Sequence, residues 1–397
     1  MMVLSAIMLL SMIILEFVYS SNVNYQIANN EKERLQAYYL AQSALNLMKI
    51  EMKIDKQVKS AIASSPIASQ INIDLSQPMC QQFPFSTGLL RAFFIGGVIP
   101  SGEGGGNEEG AKEEGGEGKG KSVTFMDSEK AQEFLAFDGD FEGSCTPEEG
   151  KFNLNYFAAL DPAQQTLSGS SQYDTYKKIL TGVLKNEKYK KLFDKPEAID
   201  SIVQNIADWV DKNDQINELG NVTKGLETSV YKETGRQQPR NSKMLSLAEA
   251  YLVEGVDDKW FLPLEDMFTI YGDSKINVCQ ADDEVVWALI LAYASQNPNA
   301  VPINPKNPDA KKNLLDVVKD SCAGAQPQAS KIAQDLDTAL GITGGGGSFA
   351  SLITTESRFY SLKLTGQVGD TVVNIKTVLD IKDTDPKKWK LLYYKVY

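Results

Sequence analysis

The N-terminal segment of this chain is the feature that most restricts its fold. Residues 1–20 read MMVLSAIMLLSMIILEFVYS and carry no charge before Glu16. A helix of about 20 residues reaches roughly 30 Å, which is the thickness of the hydrocarbon core of a bilayer. A secretory signal peptide would begin with basic residues and end in a small-residue cleavage site, and neither feature is present. The segment is therefore predicted to be a transmembrane helix.

An amphipathic pattern continues this helix beyond the membrane. In the following stretch, apolar residues recur at spacings of three and four at Leu35, Tyr38, Ala41, Leu45 and Met48. That spacing builds one apolar face of a helix. We expect a continuous helix of about 50 residues, with residues 1–20 in lipid and residues 21–55 packed on a soluble domain. The alternative is a generic membrane anchor followed by an unrelated helix.

The composition excludes several classes of function. The chain has 397 residues and a net charge of −12, and it shows no cluster of Lys and Arg that would bind a nucleic-acid backbone. It also contains no histidine, which excludes Ser-His-Asp and Cys-His nucleophiles and histidine-ligated zinc. We therefore expect neither a nucleic-acid partner nor an enzyme.

One motif favours the opposite conclusion. Residues 115–122 read GGEGKGKS and fit the phosphate-binding pattern of nucleotide hydrolases. That pattern works only between a buried strand and a helix, whereas residues 101–121 contain nine Gly, six Glu and three Lys with no apolar anchor. We interpret residues 101–121 as a flexible insertion. A Walker-type ATPase or a carboxylate-only hydrolase is kept as an alternative hypothesis.

The four cysteines, Cys80, Cys145, Cys279 and Cys322, form no C-x-x-C motif, which disfavours a zinc ribbon or a thioredoxin-type site. A membrane-anchored protein exported to an oxidising compartment would use them as disulfides. Of the three possible connectivities, we expect Cys80–Cys145 and Cys279–Cys322. The alternative is a cytosolic domain with four reduced, buried cysteines.

The pattern along the chain predicts an α+β protein in which a helical block interrupts a strand-containing domain. Strands are expected at residues 71–75, 89–99 and 122–126, and again in FYSLKLTGQV and TVVNIKTVLDI after a Gly-rich joint. The first part of the strand-containing domain is predicted to cover residues 56–155 and the last part residues 341–397. Helical patterns fill residues 156–340 between them.

Four stretches, in this order, carry a family resemblance. The apolar N-terminal helix resembles a processed pilin-like start, and residues 148–155 (EEGKFNLN) resemble the motif D-x-x-G-R-F-N-L-N. Residues 206–214 (IADWVDKND) resemble L-x-D-W-I-D-x-D-D. Residues 241–256 followed by 275–289 resemble N-x-P-F-x-S-x-x-E-L-x-x-V-x-G-V followed by I-N-V-N-T-A-x-x-E-V-L-x-A-L. Together they resemble the general secretion pathway protein K family, the minor pseudopilins K of type II secretion systems.

This resemblance implies a structural protein of the cell envelope. Members are processed by prepilin peptidase, methylated at the N-terminus and anchored in the inner membrane by a single pass, with most of the chain in the periplasm. The fold is a pilin-like α/β domain with a large α-helical insertion. The implied role is to initiate or cap the pseudopilus tip and so support export across the outer membrane. The implied partners, through the long helix, are minor pseudopilins I and J, with H as a further candidate.

The resemblance also implies how the N-terminus is used. Ordinary pilins carry a glutamate at mature position 5 that pairs with the terminal amine of a neighbouring subunit, whereas protein K lacks it. If Met1 is the mature terminus, position 5 is Ser5, and a tip subunit with nothing above it needs no carboxylate there. The alternative is that Met1 is an initiator residue and that the position of Ser5 is accidental.

The acidic stretch after residue 206 is the one part of the sequence that predicts a ligand-binding site. It carries the carboxylates Asp208, Asp211, Asp214, Glu218 and Glu227. Clusters of oxygen donors suit Ca²⁺, and the spacing does not fit an EF-hand. The family binds calcium in its helical domain, where its motif G-A-E-D-x-Y-Y corresponds to KGLETSVY here, with Thr228 in place of an acidic residue. The alternatives are a solvated acidic loop and, for the whole chain, a stand-alone membrane-anchored calcium-binding module.

Overall fold

The computed structural model describes residues 2–63, 77–82, 85–88, 90, 137–160, 171–218, 222–323, 327–343 and 348–397. The α-helices, numbered in chain order, are α1 (Met2–Ala63), α2 (Met79–Gln82), α3 (Gln172–Leu184), α4 (Ala198–Val210), α5 (Thr228–Thr234), α6 (Asp258–Leu264), α7 (Asp283–Gln296), α8 (Pro308–Cys322), α9 (Ala329–Ala339) and α10 (Ser348–Leu352). Short 3₁₀ helices cover Leu154–Ala159, Glu187–Leu192, Leu247–Leu252, Glu265–Met267 and Pro386–Lys388.

The strands are β1 (Phe85–Ser86), β2 (Asp140–Pro147), β3 (Phe152–Asn153), β4 (Gln215–Glu218), β5 (Val222–Leu226), β6 (Phe268–Thr269), β7 (Ile276–Asn277), β8 (Ile353–Thr354), β9 (Phe359–Val368), β10 (Thr371–Asp380) and β11 (Lys390–Val396). Apart from Leu90, the expected strands at residues 71–75, 89–99 and 122–126, and the GGEGKGKS motif, lie outside the described residues.

Helix α1 is one continuous helix of 62 residues and contains a stretch long and apolar enough to cross a membrane. Its first part is exposed, whereas its second part buries one face against the sheet. The predicted buried face is confirmed at Ala41, Leu45 and Met48, but Leu35 is 56% exposed. Leu35 lies six positions before Ala41, which is about 240° away around a helix. Ala37, which is fully buried, takes the place that was expected for Leu35.

The main sheet has five antiparallel strands in the order β1-β2-β9-β10-β11. The predicted strands FYSLKLTGQV and TVVNIKTVLDI are confirmed as β9 and β10, which pair from Thr371↔Val368 to Asp380↔Phe359. Helix α1 packs across β2, β9 and β10. The contact is close, because a Cβ on Gly366 would lie 2.0 Å from the carbonyl oxygen of Ala37. Small residues on both elements therefore set the distance between helix and sheet.

A helical block lies in the chain between β2 and β9 and has its own core. Aromatic side chains dominate the centre of that core, as in the ring stack of Phe152 on Tyr176 at 4.2 Å between centroids. The block also contains the β4–β5 hairpin and the short pairs β3–β6 and β7–β8. The expected fold class, a long N-terminal helix and a strand-containing part interrupted by a helical block, is confirmed. The residue boundaries predicted for these parts stay predictions.

Two adjacent glutamates join the sheet to the helical block. Glu149 accepts hydrogen bonds from the backbone nitrogens of Arg358 (2.7 Å) and Phe359 (3.0 Å), and its carbonyl oxygen accepts one from Asn277 (2.7 Å). The Glu148 carboxylate accepts from Lys151 at 2.9 Å and from the hydroxyl groups of Ser361 and Thr269. Residues 148–151, the EEGK part of the EEGKFNLN stretch, thus lie where the chain leaves the sheet.

The disulfides Cys80–Cys145 and Cys279–Cys322 are both present, with Cα–Cα distances of 5.7 Å and 5.5 Å. The first ties α2 to β2, and the second ties the segment before α7 to the end of α8. The expected connectivity is therefore confirmed. Loops of 65 and 43 residues are closed, and in the chain-entropy model each bond stabilises the fold by about 4 kcal/mol.

Candidate metal centre

Three carboxylates meet in the interior of the helical block. Asp208 lies in the last turn of α4, Asp211 follows that helix directly, and Glu227 precedes α5. One oxygen of each carboxylate lies within 4.8 Å of the other two, and all three residues are buried. Asp208 and Asp211 share one side of the helix end because they are three positions apart. The β4–β5 hairpin then returns the chain and brings Glu227 beside them.

Protein donors surround the carboxylate of Asp211. The Tyr173 hydroxyl donates to Oδ2 at 2.9 Å, and Asn217 Nδ2 donates to the same oxygen at 3.3 Å. The backbone nitrogen and Nδ2 of Asn213 both donate to Oδ1 at 3.2 Å. These bonds fix the orientation of Asp211 at the end of α4.

A buried lysine lies on one side of the cluster. Lys177 is 3% exposed, and its Nζ donates to Gln204 Oε1 and to the carbonyl oxygen of Asn217. Gln204 in turn donates to Asp208 Oδ1 at 2.6 Å. Lys177 is one ammonium group beside three carboxyl groups, so the cluster carries an excess of negative charge when all three are ionised.

Glu227 lacks the donors that Asp211 has. It is 2% exposed, and among the described residues neither of its carboxylate oxygens has a hydrogen-bond partner. The Oδ1 atom of Asn241 is also buried and has no partner in the described part of the chain. Asn241 Nδ2 donates hydrogen bonds to the carbonyl oxygen of Asn213 at 2.7 Å and to Asp214 Oδ1 at 2.6 Å. These two bonds fix the orientation of the amide. Buried oxygens of this kind are rare in folded proteins, and a water molecule or a bound ion can satisfy them.

Burial is the main cause that raises the pKa of all three carboxyl groups. The pKa of Asp211 rises to about 6 although its hydrogen bonds oppose the change. The pKa of Glu227 rises to about 9 through burial and then through the charges of Asp208, Asp211 and Asp214, while the side chain of Asn241 opposes the change. The pKa of Asp208 is raised by burial, against the opposing effects of Gln204 and Lys177. A bound cation would relieve this accumulation of negative charge.

The donors of this cluster fit a calcium ion. Ca²⁺ takes six to eight oxygen ligands from carboxylates, amide carbonyls and water in a flexible geometry. Glu227 and Asn241 have unused buried oxygens, and Asp208 and Asp211 lie beside Glu227. These four residues are the ones that would hold the ion. Bound calcium would bridge the end of α4, the β4–β5 hairpin and the segment around Asn241.

Asp214 and Glu218 are the other two predicted ligands. Asp214 is exposed and does not join the group of three: its side chain binds Asn241, and its carbonyl oxygen accepts from the Glu227 nitrogen at 3.2 Å. Glu218 ends β4, and its side chain lies outside the described residues. Of the predicted assembly residues, Ser5 lies on the exposed first part of α1, and Met1 lies outside the described residues.

Sequence reasoning missed Asn241, although the residue carries a recognisable signal. Its φ of 50° is left-handed, a conformation that asparagine tolerates better than most non-glycine residues. It also begins the motif-like stretch at residues 241–256. Nothing local in the sequence places it beside Glu227, because the intervening chain forms α5 and a turn.

Comparisons with known proteins give a structural similarity but no sequence match. No family model matches the chain, and no curated protein matches it. Among solved structures, the chain is similar to a chain of the GspK–GspI–GspJ complex from the type 2 secretion system of enterotoxigenic Escherichia coli. The identity is 13%, the TM-score is 0.41, and the match covers 66% of this chain and 80% of that chain.

Proposed function

We propose that this chain is a minor pseudopilin that initiates or caps the tip of a type II secretion pseudopilus and so supports protein export across the outer membrane. The observation that carries the proposal is α1, a single 62-residue helix with an exposed apolar first part and a second part packed on an antiparallel sheet. Such a helix can hold the chain in a membrane and present a side to neighbouring helices at the same time. The order of the motif-like stretches adds independent support.

The partners in this proposal are the minor pseudopilins I and J, with H as a further candidate. Along the second part of α1, the face opposite the sheet carries Leu35, Tyr39, Ile50 and Ile54, each at least 45% exposed. Exposed apolar side chains that continue along one side of a helix are typical of a surface that packs against other helices. We assign this face to those partners.

The proposed location is the inner membrane, with a single pass and with most of the chain in the periplasm after maturation by prepilin peptidase. Two disulfides fit an oxidising compartment of this kind.

We further propose that Asp208, Asp211, Glu227 and Asn241 bind Ca²⁺. The support is the pair of unpartnered buried oxygens on Glu227 and the excess of negative charge around them. The ion would stabilise the acidic loop of the helical block and would take no part in a reaction. Isothermal titration of the calcium-free full chain tests this directly, and the absence of both heat and a rise in melting temperature would refute it.

Affinity purification of the full-length chain from native membranes tests the tip assignment. We expect the minor pseudopilins I and J in the purified material, identified by mass spectrometry. Tyr39→Lys should abolish their recovery because a charge then lies on the exposed face of α1, whereas Tyr39→Phe should retain it. Both variants should keep the fold, since Tyr39 is 60% exposed. Recovery of the chain without pilin-like subunits would favour the stand-alone calcium-binding module instead.

A further inference from the structure

Three lysines stand side by side on the main sheet. Lys363 on β9 pairs directly with Lys376 on β10, and Lys376 pairs directly with Lys395 on β11. We call these three residues the lysine row. Directly opposed like charges on neighbouring strands destabilise a sheet, so the row weakens the fold that contains it.

Among the residues that the structure describes, no carboxylate forms an ion pair with the lysine row. None of the three ammonium groups forms an ion pair with a carboxylate in the described ranges, and Lys395 Nζ lies 5.8 Å from the centroid of the Tyr397 ring. Lys363 and Lys395 are exposed, and Lys376 is half-buried. In a chain with a net charge of −12, this concentration of unpaired positive charge needs an explanation of its own.

The row lies on the face of the sheet that α1 does not cover. Leu362 and Leu364, the neighbours of Lys363, are buried in the core beneath α1. Because successive side chains of a strand point to opposite faces, Lys363 points away from α1. A cavity of about 360 Å³ opens beside the row, between the sheet and the helical block. Lys376 and Lys395 line it on the sheet side, and the carboxylates of Glu148, Glu265 and Asp266 also line it without forming an ion pair with either lysine.

Protection of a sheet edge does not account for the row. Proteins place lysine on edge strands to prevent association with other chains, and that reason can apply to Lys395 on β11. It does not apply to Lys363 and Lys376, since β9 and β10 both have a neighbour on each side. Protection of a sheet edge therefore does not explain the charges of Lys363 and Lys376.

The row ends at an open sheet edge. β11 is the last strand in the order, and its Tyr397 end exchanges two backbone hydrogen bonds with Asn374, at 2.9 and 3.0 Å. Because such pairs alternate along an antiparallel ladder, the backbone N–H and C=O of Val396 point away from β10. On the other face of β11, Leu391, Tyr394 and Val396 are 46%, 36% and 42% exposed. The edge thus offers unused main-chain groups with lysines on one face and apolar side chains on the other.

The position of the row disfavours a membrane surface as its ligand. The β9–β10 turn lies next to Glu33 of α1, where Thr371 donates to the Glu33 carboxylate at 3.1 Å. Glu33 lies thirteen positions beyond Ser20 along α1, at a rise of about 1.5 Å per residue. Lys376 lies five further positions beyond Thr371 along β10, at a rise of about 3.4 Å per residue. The row is therefore roughly 35 Å from the predicted end of the span, which exceeds a Debye length of about 10 Å.

We propose that the lysine row and the open edge of β11 bind an extended segment of a partner protein whose side chains alternate between acidic and apolar residues. The segment adds a strand to β11, with its carboxylates on the lysine face and its apolar side chains beside Leu391, Tyr394 and Val396. Lys395 is the direct neighbour of such a strand, whereas Lys376 and Lys363 lie about 10 and 14 Å from it across the sheet and attract its carboxylates at longer range. Strand addition supplies affinity through main-chain hydrogen bonds and specificity through alternate side chains. The proposal does not depend on the tip assignment, because it uses neither the exposed face of α1 nor Ser5.

Fluorescence anisotropy with the full chain in phosphatidylcholine nanodiscs tests this proposal. The probe is a labelled nonapeptide in which Glu and Val alternate. We expect saturable binding of this peptide and at least tenfold weaker binding of a peptide with Lys in place of Glu. A peptide of the same composition with its Glu and Val residues in two separate blocks should also bind at least tenfold more weakly.

Variants of the chain locate the binding to the row and the edge. The triple variant Lys363→Gln, Lys376→Gln and Lys395→Gln should bind the alternating peptide at least tenfold more weakly and should melt at the same or a higher temperature, because like-charge repulsion is removed. The matched control is Lys306→Gln, Lys312→Gln and Lys331→Gln, which changes the net charge equally at exposed positions of the helical block and should bind like the parent.

The edge has its own variant. Val396→Pro removes an outward N–H without removing a hydrogen bond to β10, and it should weaken peptide binding at least tenfold with little change in melting temperature. Three results would overturn the proposal: no binding of the alternating peptide, equal binding by the triple variant, or equal binding of the block peptide. A fourth is a loss of peptide binding by the parent chain when phosphatidylglycerol replaces phosphatidylcholine in the nanodiscs. That result would assign the lysine row to a lipid surface.

Discussion

Buried carboxylates occur both at the junction between the sheet and the helical block and in the interior of that block, and protein donors satisfy them very differently. At the junction, Glu149 accepts from two backbone nitrogens, and Glu148 accepts from a lysine and two hydroxyl groups. In the block, both oxygens of Glu227 have no partner among the described residues. Both regions contain buried acids with unusual pKa values, so burial alone does not distinguish a structural acid from a ligand.

The difference lies in the use of the oxygen lone pairs. A carboxylate whose oxygens are occupied by protein donors connects elements of the fold, and removing it leaves those donors unpaired. A buried carboxylate with free oxygens has no such function until a ligand arrives. Substitution at the junction should therefore destabilise the fold, whereas substitution in the cluster should change the response to calcium.

The largest effect is expected for Glu149→Ala. The backbone nitrogens of Arg358 and Phe359 lose their acceptor in a buried place, which should lower the free energy of unfolding by about 4 kcal/mol. Urea unfolding of the full chain in detergent measures this. Glu227→Gln should behave differently in calcium-free buffer, because it replaces a buried carboxyl group whose raised pKa keeps it protonated by a neutral amide of the same shape, and it should leave stability unchanged or raised. Equal destabilisation by the two variants would remove the distinction between the regions.

The second effect is the pH dependence that Glu149 causes. Burial raises its pKa to about 7, against the lowering effect of its backbone hydrogen bonds, from an ordinary value of 4.5. The folded state therefore holds the proton more tightly than the unfolded state. The stabilising contribution of Glu149 to the free energy of unfolding is therefore fully present below its ordinary pKa. The free energy of unfolding then falls by about 3 kcal/mol as the pH rises to about 7. In unfolding experiments at several pH values, Glu149→Gln should lack this part of the decrease, and an unchanged profile would contradict the assignment.

The third effect is stabilisation by calcium. At a hundredfold excess over the dissociation constant, bound Ca²⁺ should raise the free energy of unfolding by about 2.7 kcal/mol. Glu227→Gln should remove this increase, and Glu149→Gln should retain it. Differential scanning calorimetry with and without calcium measures both. A calcium effect that survives in Glu227→Gln would place the ion elsewhere.

The smallest effect is expected at Asn241. Asn241→Gly keeps a residue that accepts the left-handed backbone but removes the amide oxygen, so calcium affinity should fall about tenfold, or 1.4 kcal/mol. Asn241→Asp retains an oxygen at the same place and should bind calcium at least as tightly as the parent chain. Isothermal titration distinguishes the two variants, and equal affinities would show that the side chain is not a ligand.

Local patterns in the sequence predicted the features that depend on near neighbours. The apolar face of α1 follows from helical spacing, and the error at Leu35 arose because several apolar residues compete for that face while only packing on the sheet selects Ala37. Asp208 and Asp211 were found together because they lie three positions apart in one motif. The strands of the C-terminal hairpin were found through alternation of apolar and polar residues.

Features that depend on tertiary register could not be found in this way. Asn241 joins the cluster through a left-handed turn, and Lys177 reaches it from α3. The lysine row exists only because of the register of three strands, since its members are scattered in the sequence. Single-sequence reasoning locates residues on an element, but the packing of elements decides which of them meet.

The adjacency of the two ends of the helical block has a consequence for folding. The block begins after β2 and ends before β9, yet Glu149 and Phe359, which are 210 positions apart, are hydrogen-bonded. If the block were still unfolded, pairing β2 with β9 would require closure of a loop of that length. Such long-range pairings slow folding. A block that folds first would bring the two strands together as a preformed bridge.

Folding of the sheet should therefore follow that of the block. Of the four tryptophans, Trp389 lies in the core beneath α1, whereas Trp209, Trp260 and Trp287 lie in the core of the block. A chain that retains only Trp389 should gain its native fluorescence later than a chain that retains only Trp209. Simultaneous signals in stopped-flow refolding would show that the two parts fold as one unit.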